Sequence, residues 1–238
     1  MIYVMSDIHG NENRFNSVME QINLNAEDTL YILGDVVDRY YGGIRILRKI
    51  MKMPNVKMLM GNHEYMMLDA IDAVSKLSKD WVNNGYCNEL NLWYNNGGEV
   101  THRYLKHIRK DLREEVFNYV RNLPINIDIT VKGLNYKLVH ASPIENRGKE
   151  KWSDYRYSSD TEFAVWKRWQ ISDGVPENSI LIFGHTPTRH FQRENPMRVW
   201  YGDNAIGIDC GCGYFNGRLS CLRLDDMKEF YSSKGEGV

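Results

Sequence analysis

Three short apolar runs recur in the first third of the chain, each followed by a polar turn and then by an amphipathic stretch. Ile2-Tyr3-Val4-Met5 leads into the turn at residues 6–10, after which Phe15, Val18, Met19 and Ile22 repeat at the i, i+3, i+4, i+7 spacing of one helix face. Residues 30–33 close on Gly34 ahead of Ile44, Leu47, Ile50 and Met51, and residues 56–60 precede Met67, Ala70, Ile71 and Val74. Strands alternating with helices predict right-handed parallel crossovers in an α/β arrangement. The pattern changes near residue 79. Residues 79–109 are rich in Asn, Gly, Trp and Tyr and carry no clean period. With the following helix (Leu112, Val116, Val120), which Pro124 stops, they read as an insertion or cap at about 79–123 within a single domain over 1–238. From residue 125 the texture is β-rich. Strands are predicted at 125–131, 136–139, 179–183, 199–201, 206–209 and 219–224, with a charged loop at 144–160 and a helix at 161–169.

Composition adds mainly exclusions. Of the 238 residues, 42% are hydrophobic, and 30 Lys and Arg against 31 Asp and Glu leave a net charge of −1. That balance excludes a disordered or collagen-like chain and gives no bulk attraction to nucleic acid or to anionic membranes. No run approaches 18 apolar residues, and the start MIYVMSDIHG lacks a signal-peptide pattern, so a cytoplasmic protein with no membrane and no stable nucleic-acid partner is expected. Cys87, Cys210, Cys212 and Cys221 lack zinc-site spacing and read as reduced, buried thiols.

The chemistry concentrates in the turns that end the strands, where ligands bind in an open α/β sheet. The first turn carries Asp7-Ile8-His9-Gly10. Residues i and i+2 of an extended segment point the same way, so Asp7 and His9 can face one cation. The second is Gly34-Asp35-Val36-Val37-Asp38-Arg39 and the third Gly61-Asn62-His63-Glu64. His140 ends the strand at 136–139, and His185 the strand at 179–183. Each motif alone has a plainer reading: a helix cap beside a surface histidine, a solvated His-Glu pair, an Asp38–Arg39 surface ion pair, a satisfied strand-end histidine. Recurrence in order, each at a strand end, favours a common site. His102, His107 and His190 lie in polar stretches without such turns and receive no role.

The order DIHG, GDVVDR, GNHE, VHAS, GHT, with the late Ile208-Asp209-Cys210-Gly211, resembles the calcineurin-like metallophosphoesterase superfamily, and within it the bacterial and phage serine/threonine phosphoprotein phosphatases. The resemblance implies two mixed β-sheets packed as a sandwich flanked by helices, with a binuclear metal site at the strand ends. It implies Asp7 and His9 as ligands of the first metal, Asp35 as the bridge, and Asn62, His140 and His185 as ligands of the second. Manganese is the first candidate metal, with iron, zinc, nickel or magnesium as others. Two divalent ions against two aspartates and a bridging hydroxide would leave one positive charge for a phosphate dianion. The family reaction is direct attack of that hydroxide on phosphorus, with His63 protonating the leaving group, Asp38 supporting His63, and Arg39 and Arg168 binding phosphate. Arg168 also reads as an ordinary surface arginine.

Met60 stands where eukaryote-like members carry arginine, and symmetrical diadenosine tetraphosphate hydrolases also have an apolar residue there. The expected activity is therefore hydrolysis of phosphoserine or phosphothreonine in proteins. Cleavage of diadenosine tetraphosphate or another phosphodiester on the same scaffold is the alternative. A non-catalytic scaffold is disfavoured because every ligand position and His63 are filled. Aromatics in 79–109 and the loop 144–160 are expected to shape substrate choice.

Overall fold

A computed structural model describes residues 1–78, 82, 85–149 and 156–233. Its first half is the expected alternation: β1 (Ile2–Met5), α1 (Glu12–Ile22), β2 (Thr29–Ile32), α2 (Gly43–Ile50), β3 (Val56–Met58) and α3 (Asn62–Lys76). Three further helices follow, α4 (Asn88–Asn95), α5 (Glu99–His107) and α6 (Lys110–Arg121). The second half holds β4 (Asn126–Val131), β5 (Leu134–Val139), α7 (Asp160–Trp166), β6 (Ile180–Phe183), β7 (Trp200–Gly202), β8 (Ala205–Gly207), β9 (Ser220–Arg223) and β10 (Lys228–Tyr231). Among the described residues no helix is long and apolar enough to cross a membrane.

The strands form two mixed five-stranded sheets, in the orders β10-β9-β1-β2-β3 and β4-β5-β6-β8-β7. The first sheet is parallel across β1, β2 and β3 and antiparallel at β9 and β10; the second is parallel across β5, β6 and β8. Period-2 alternation then sorts side chains between layers. Tyr3, Met5, Leu30 and Ile32 pack under the helices with Phe15, Ile44 and Leu47, whereas Val4, Tyr31 and Leu33 meet Leu138, Ile182 and Ile206 between the sheets. Val139, Leu181, Phe183 and Ala205 cover the outer face of the second sheet with Trp169. Strands buried on both faces explain why the sequence shows them as continuous apolar runs. The sandwich is the one the resemblance implies.

Two stretches differ most from the sequence reading. The helix expected over 161–169 stops at Trp166, so Arg168 lies just past its end. The stretch 88–107, which showed no period, forms two helices whose buried faces include Trp93, Thr101 and His102 rather than an aliphatic stripe. His102 is therefore buried, not in a polar setting. Its Nδ1 lies 2.7 Å from the Tyr94 hydroxyl, and burial lowers its pKa to about 4, the behaviour of a neutral structural histidine. The expected loop contribution from 79–81, 83–84 and 150–155 lies outside the described residues.

Candidate metal centre

All the parallel strands of both sheets deliver their carboxyl ends to one edge, and the loops there stay hydrogen-bonded as they leave the sheets. His9 N–H donates to the Asp35 carbonyl (2.8 Å) and Gly10 N–H to that of Val36 (2.7 Å). Across the sandwich, Gly184 N–H donates to the His140 carbonyl (2.9 Å). The sheets are joined at the site itself, where His185 N–H donates to both oxygens of Asp7 at 3.2 and 3.0 Å. Gly34 turns with a φ of +86°, and a Cβ there would stand 2.6 Å from Gly61 Cα and 2.9 Å from His140 Nδ1. Only glycine lets the three loops close on one another.

The expected ligand residues come together. Ligand atoms of His9, Asp35 and His63 lie within 4.8 Å of one another, as do those of Asp35, His140 and His185, so Asp35 is common to both groups. Asn62 Oδ1 joins the second at 3.0 Å from His140 Nε2 and 2.9 Å from His185 Nδ1. Asp7 stands outside both triplets, its Oδ1 3.9 Å from His9 Nε2.

Several features suit a bound cation. His140 Nδ1 lies 2.6 Å from the Leu33 carbonyl, which can only accept, so in the neutral ring Nε2 is a bare lone pair. That lone pair and Asn62 Oδ1 then face each other without a proton, an arrangement a cation between them relieves. His9 Nδ1 is buried with no partner among the described residues. Burial, then the Arg39 charge, pushes the His9 pKa well below its ordinary value; burial, then His140, does the same to His185. Both rings are therefore neutral and able to ligate. Burial and mutual repulsion raise two of the carboxyls, Asp7 through burial and Asp35, Asp209 strongly through burial and Asp7, whereas the neighbouring histidines, His140 first, outweigh burial and lower that of Asp35. Crowded oxygen and imidazole donors of this kind fit divalent transition metals.

His63 belongs to one triplet, yet its geometry differs from that of a ligand. Its Nδ1 lies 2.7 Å from Asp38 Oδ2, while Nε2 is 3.9 Å from Asp35 Oδ2 and 3.4 Å from Arg39 Nη2. A guanidinium beside Nε2 disfavours a second cation at that nitrogen. Burial lowers the His63 pKa, but the Asp35 charge and the Asp38 hydrogen bond outweigh it, and the net shift is upward.

Arg39 lies at the mouth, its guanidinium 5.0 Å from the centroid of the Tyr214 ring; Arg189 lies over that same ring at 4.9 Å. Gly213 clears the space, since a Cβ there would stand 2.5 Å from Arg39 Nη1 and 2.6 Å from His9 Cδ2. Arg168 is exposed and its Nη1 donates to the His185 carbonyl (2.9 Å) and to Thr186 Oγ1 (3.3 Å), so it braces the His185 turn from the rim. Met60 is buried in the helix-side core and adds no polar group to the site. Two cavities flank this edge. One, of about 530 Å³, is lined among the described residues by Tyr65, Asp69, Glu89, Glu162 and Trp166, three acids against the single cation of Arg156, and the Trp166 ring lies 6.2 Å from that of His185. The other, of about 660 Å³, is lined by Arg168, Trp169, Thr186, His190 and Phe191.

Sequence reasoning missed the work of Glu64. A glutamate after a helix-start histidine reads as solvated, yet this one is wholly buried. Its two oxygens accept from the backbone N–H groups of Asp35 (2.8 Å), Val36 (2.9 Å), Val37 (3.2 Å) and Gly61 (3.1 Å), so one side chain shapes two ligand loops. The Glu64→Gln variant puts an amide donor against N–H donors and leaves two of them unpaired. It is expected to cost about 2–4 kcal/mol, seen as a melting temperature lower by roughly 5–15 °C. A wild-type melting curve would show that the four contacts carry no stability.

Relatives agree on the scaffold and divide on the substrate. The chain is 25% identical over 234 residues to serine/threonine-protein phosphatase 2 of Salmonella typhimurium, covering 94% of this chain and 92% of that protein. It is 24% identical over 272 residues to a symmetrical bis(5'-nucleosyl)-tetraphosphatase of Chromobacterium violaceum, covering 96% and 94%. A crystal structure assigned to a diadenosine tetraphosphatase superposes with a TM-score of 0.61 at 18% identity, over 99% of this chain and 94% of that one. The model of the calcineurin-like phosphoesterases matches residues 1–208, and with the strand-end motifs, the paired sheets and the converging histidines and carboxylates in place, the chain belongs to that family.

Proposed function

We propose that the protein is a binuclear metal-dependent phosphatase that hydrolyses phosphoserine and phosphothreonine monoesters in proteins. Asp7 and His9 would hold one metal and Asn62, His140 and His185 the other, with Asp35 shared between the two groups and manganese the expected ion. Two bound divalent cations would supply Lewis-acid clamping of the phosphoryl oxygens and activation of water. Arg39 binds the phosphate as a planar fork, and Arg168 supplies a second guanidinium from the rim. His63 gives a proton to the departing oxygen while Asp38 stabilises the charged ring. The residues act as one domain over 1–238 with 79–123 as an insertion, in the cytoplasm, on a phosphoprotein or a small phosphorylated substrate.

The observation that carries this reading is the His63–Asp38 pair, with Nδ1 held 2.7 Å from the carboxylate and Nε2 turned toward Asp35 and Arg39. A serine or threonine alkoxide is a poor leaving group and needs such an acid; a nucleotide phosphate leaves as a stable anion and needs it far less. The acidic cavity beside Trp166 also suits a basic peptide better than a polyphosphate. One observation favours the second reading, cleavage of a dinucleoside tetraphosphate: the Arg39 and Arg189 guanidiniums over Tyr214 offer positive charge and an aromatic face beyond the site. The test compares kcat/KM of the manganese-loaded protein on a phosphoseryl peptide and on diadenosine tetraphosphate. Preference for the peptide is expected, and a strong preference for the dinucleotide overturns it.

A further inference from the structure

Asp38 and Arg39 both adopt positive φ, +72° and +65°, a conformation that non-glycine residues hold only where the surroundings impose it. The surroundings come from residues 93–101. Thr101 Oγ1 accepts from Asp38 N–H at 3.0 Å, and the Gly97 carbonyl accepts from Arg39 N–H at 3.1 Å. The Asp38 carboxylate is fully buried, and both of its donors meet the same oxygen: His63 Nδ1 at 2.7 Å and Trp93 Nε1 at 2.8 Å from Oδ2. Oδ1 has no partner among the described residues. Trp93 is itself fully buried, its ring 5.4 Å from that of His102 and packed so closely on Gly98 that no Cβ fits there.

We infer that Trp93 is a positioning residue for proton transfer, acting through Asp38 on His63. Rotation of a carboxylate about its terminal torsion is soft, and a single donor leaves the carboxylate and the imidazole free to pivot together. A second donor, fixed in the core and aimed at the same oxygen, removes that freedom and keeps Nε2 turned toward the reacting side. The indole N–H suits the task because it only donates; it cannot take the proton that His63 handles. The inserted helices thus set the acid that the leaving group needs, beyond any role in covering the site. The inference rests on the reading of His63 as the leaving-group acid.

Trp93→Phe keeps the packed ring and removes the N–H. The manganese-loaded variant is assayed on a phosphoseryl peptide, whose alkoxide must be protonated, and on 2,4-dinitrophenyl phosphate, whose phenolate leaves unaided. The ratio of the two kcat values, peptide over aryl ester, is expected to fall about 10- to 100-fold with little change in KM. A ratio is unaffected by the fraction of protein that folds, so poor yield does not mask the result. Equal slowing of both substrates means that Trp93 only fills space, and overturns the inference. A second readout needs no turnover: the Trp93 indole N–H resonance, assigned by its loss in Trp93→Phe, should move in Asp38→Asn, and a resonance that stays in place overturns the inference as well. Failure of the underlying reading looks different. In that case the wild type hydrolyses neither ester, or His63→Asn itself slows both equally.

Discussion

Replacing His63 with asparagine is expected to lower kcat on a phosphoseryl substrate about 10²- to 10⁴-fold while metal content and fold stay as in the wild type. The separation is possible because of how His63 is held. Its Nδ1 is committed to Asp38 and its Nε2 has Arg39 at 3.4 Å, so neither nitrogen is needed to keep a cation in place. Its backbone N–H donates to Asp35 Oδ1 at 3.0 Å, a contact any side chain at this position preserves. The site loops should therefore survive the change. Metal content measured by mass spectrometry, with steady-state kinetics on the same preparation, decides the matter. Turnover at the wild-type rate would remove His63 from the reaction, and loss of metal would return it to the ligands.

The second large effect belongs to Asp35. It is shared by both groups of converging ligand atoms, with Oδ1 3.5 Å from His140 Nε2 and Oδ2 3.8 Å from His9 Nε2. Asp35→Asn removes the one charge that can serve both metals. Bound metal is expected to fall from two ions per chain to one or fewer, and activity by on the order of 10³-fold or more, the equivalent of several kcal/mol of lost transition-state stabilisation. The metal-free protein should lose stability too. Burial raises the Asp35 pKa, but the surrounding histidines, His140 first, outweigh it and hold the carboxyl below its ordinary value, so the fold favours the charged form. After chelation the variant should therefore melt below chelated wild type. Two ions still bound in Asp35→Asn would refute the bridging role.

The fold was legible wherever burial is two-sided and aliphatic. β1, β2 and β6 announce themselves as apolar runs, and their ends carry residues that converge. β10, Lys-Glu-Phe-Tyr, gave no such run, since it forms the edge of its sheet and only Phe230 is buried in it. Helices α4 and α5 stayed hidden because tryptophan, threonine and histidine occupy their inward faces. At the site, the ligand candidates could be read locally, but their supports could not. Asp38 depends on His63, Trp93 and Thr101, which lie 25, 55 and 63 residues away, and Glu64 acts on a turn 27 to 29 residues upstream. Local patterns carry no trace of partners that only the closed chain brings together.

Among the described residues, twelve non-glycine positions have positive φ, and Asp7, His9, Asp35, Asp38, Arg39 and His185 make up half of them. Each such backbone costs about 1–3 kcal/mol, and aspartate tolerates it better than most side chains. For laboratory evolution this divides the mouth into two kinds of ground. Random changes at these six codons remove a functional group and most put a residue with little tolerance for left-handed backbone in its place, so most variants should fail before selection can act. On the rim, Ile171, Arg189, Tyr214 and Phe215 are not among these positive-φ positions and carry much exposed surface. A library aimed at new phosphoesters should place its diversity on that rim and leave the strand-end codons untouched.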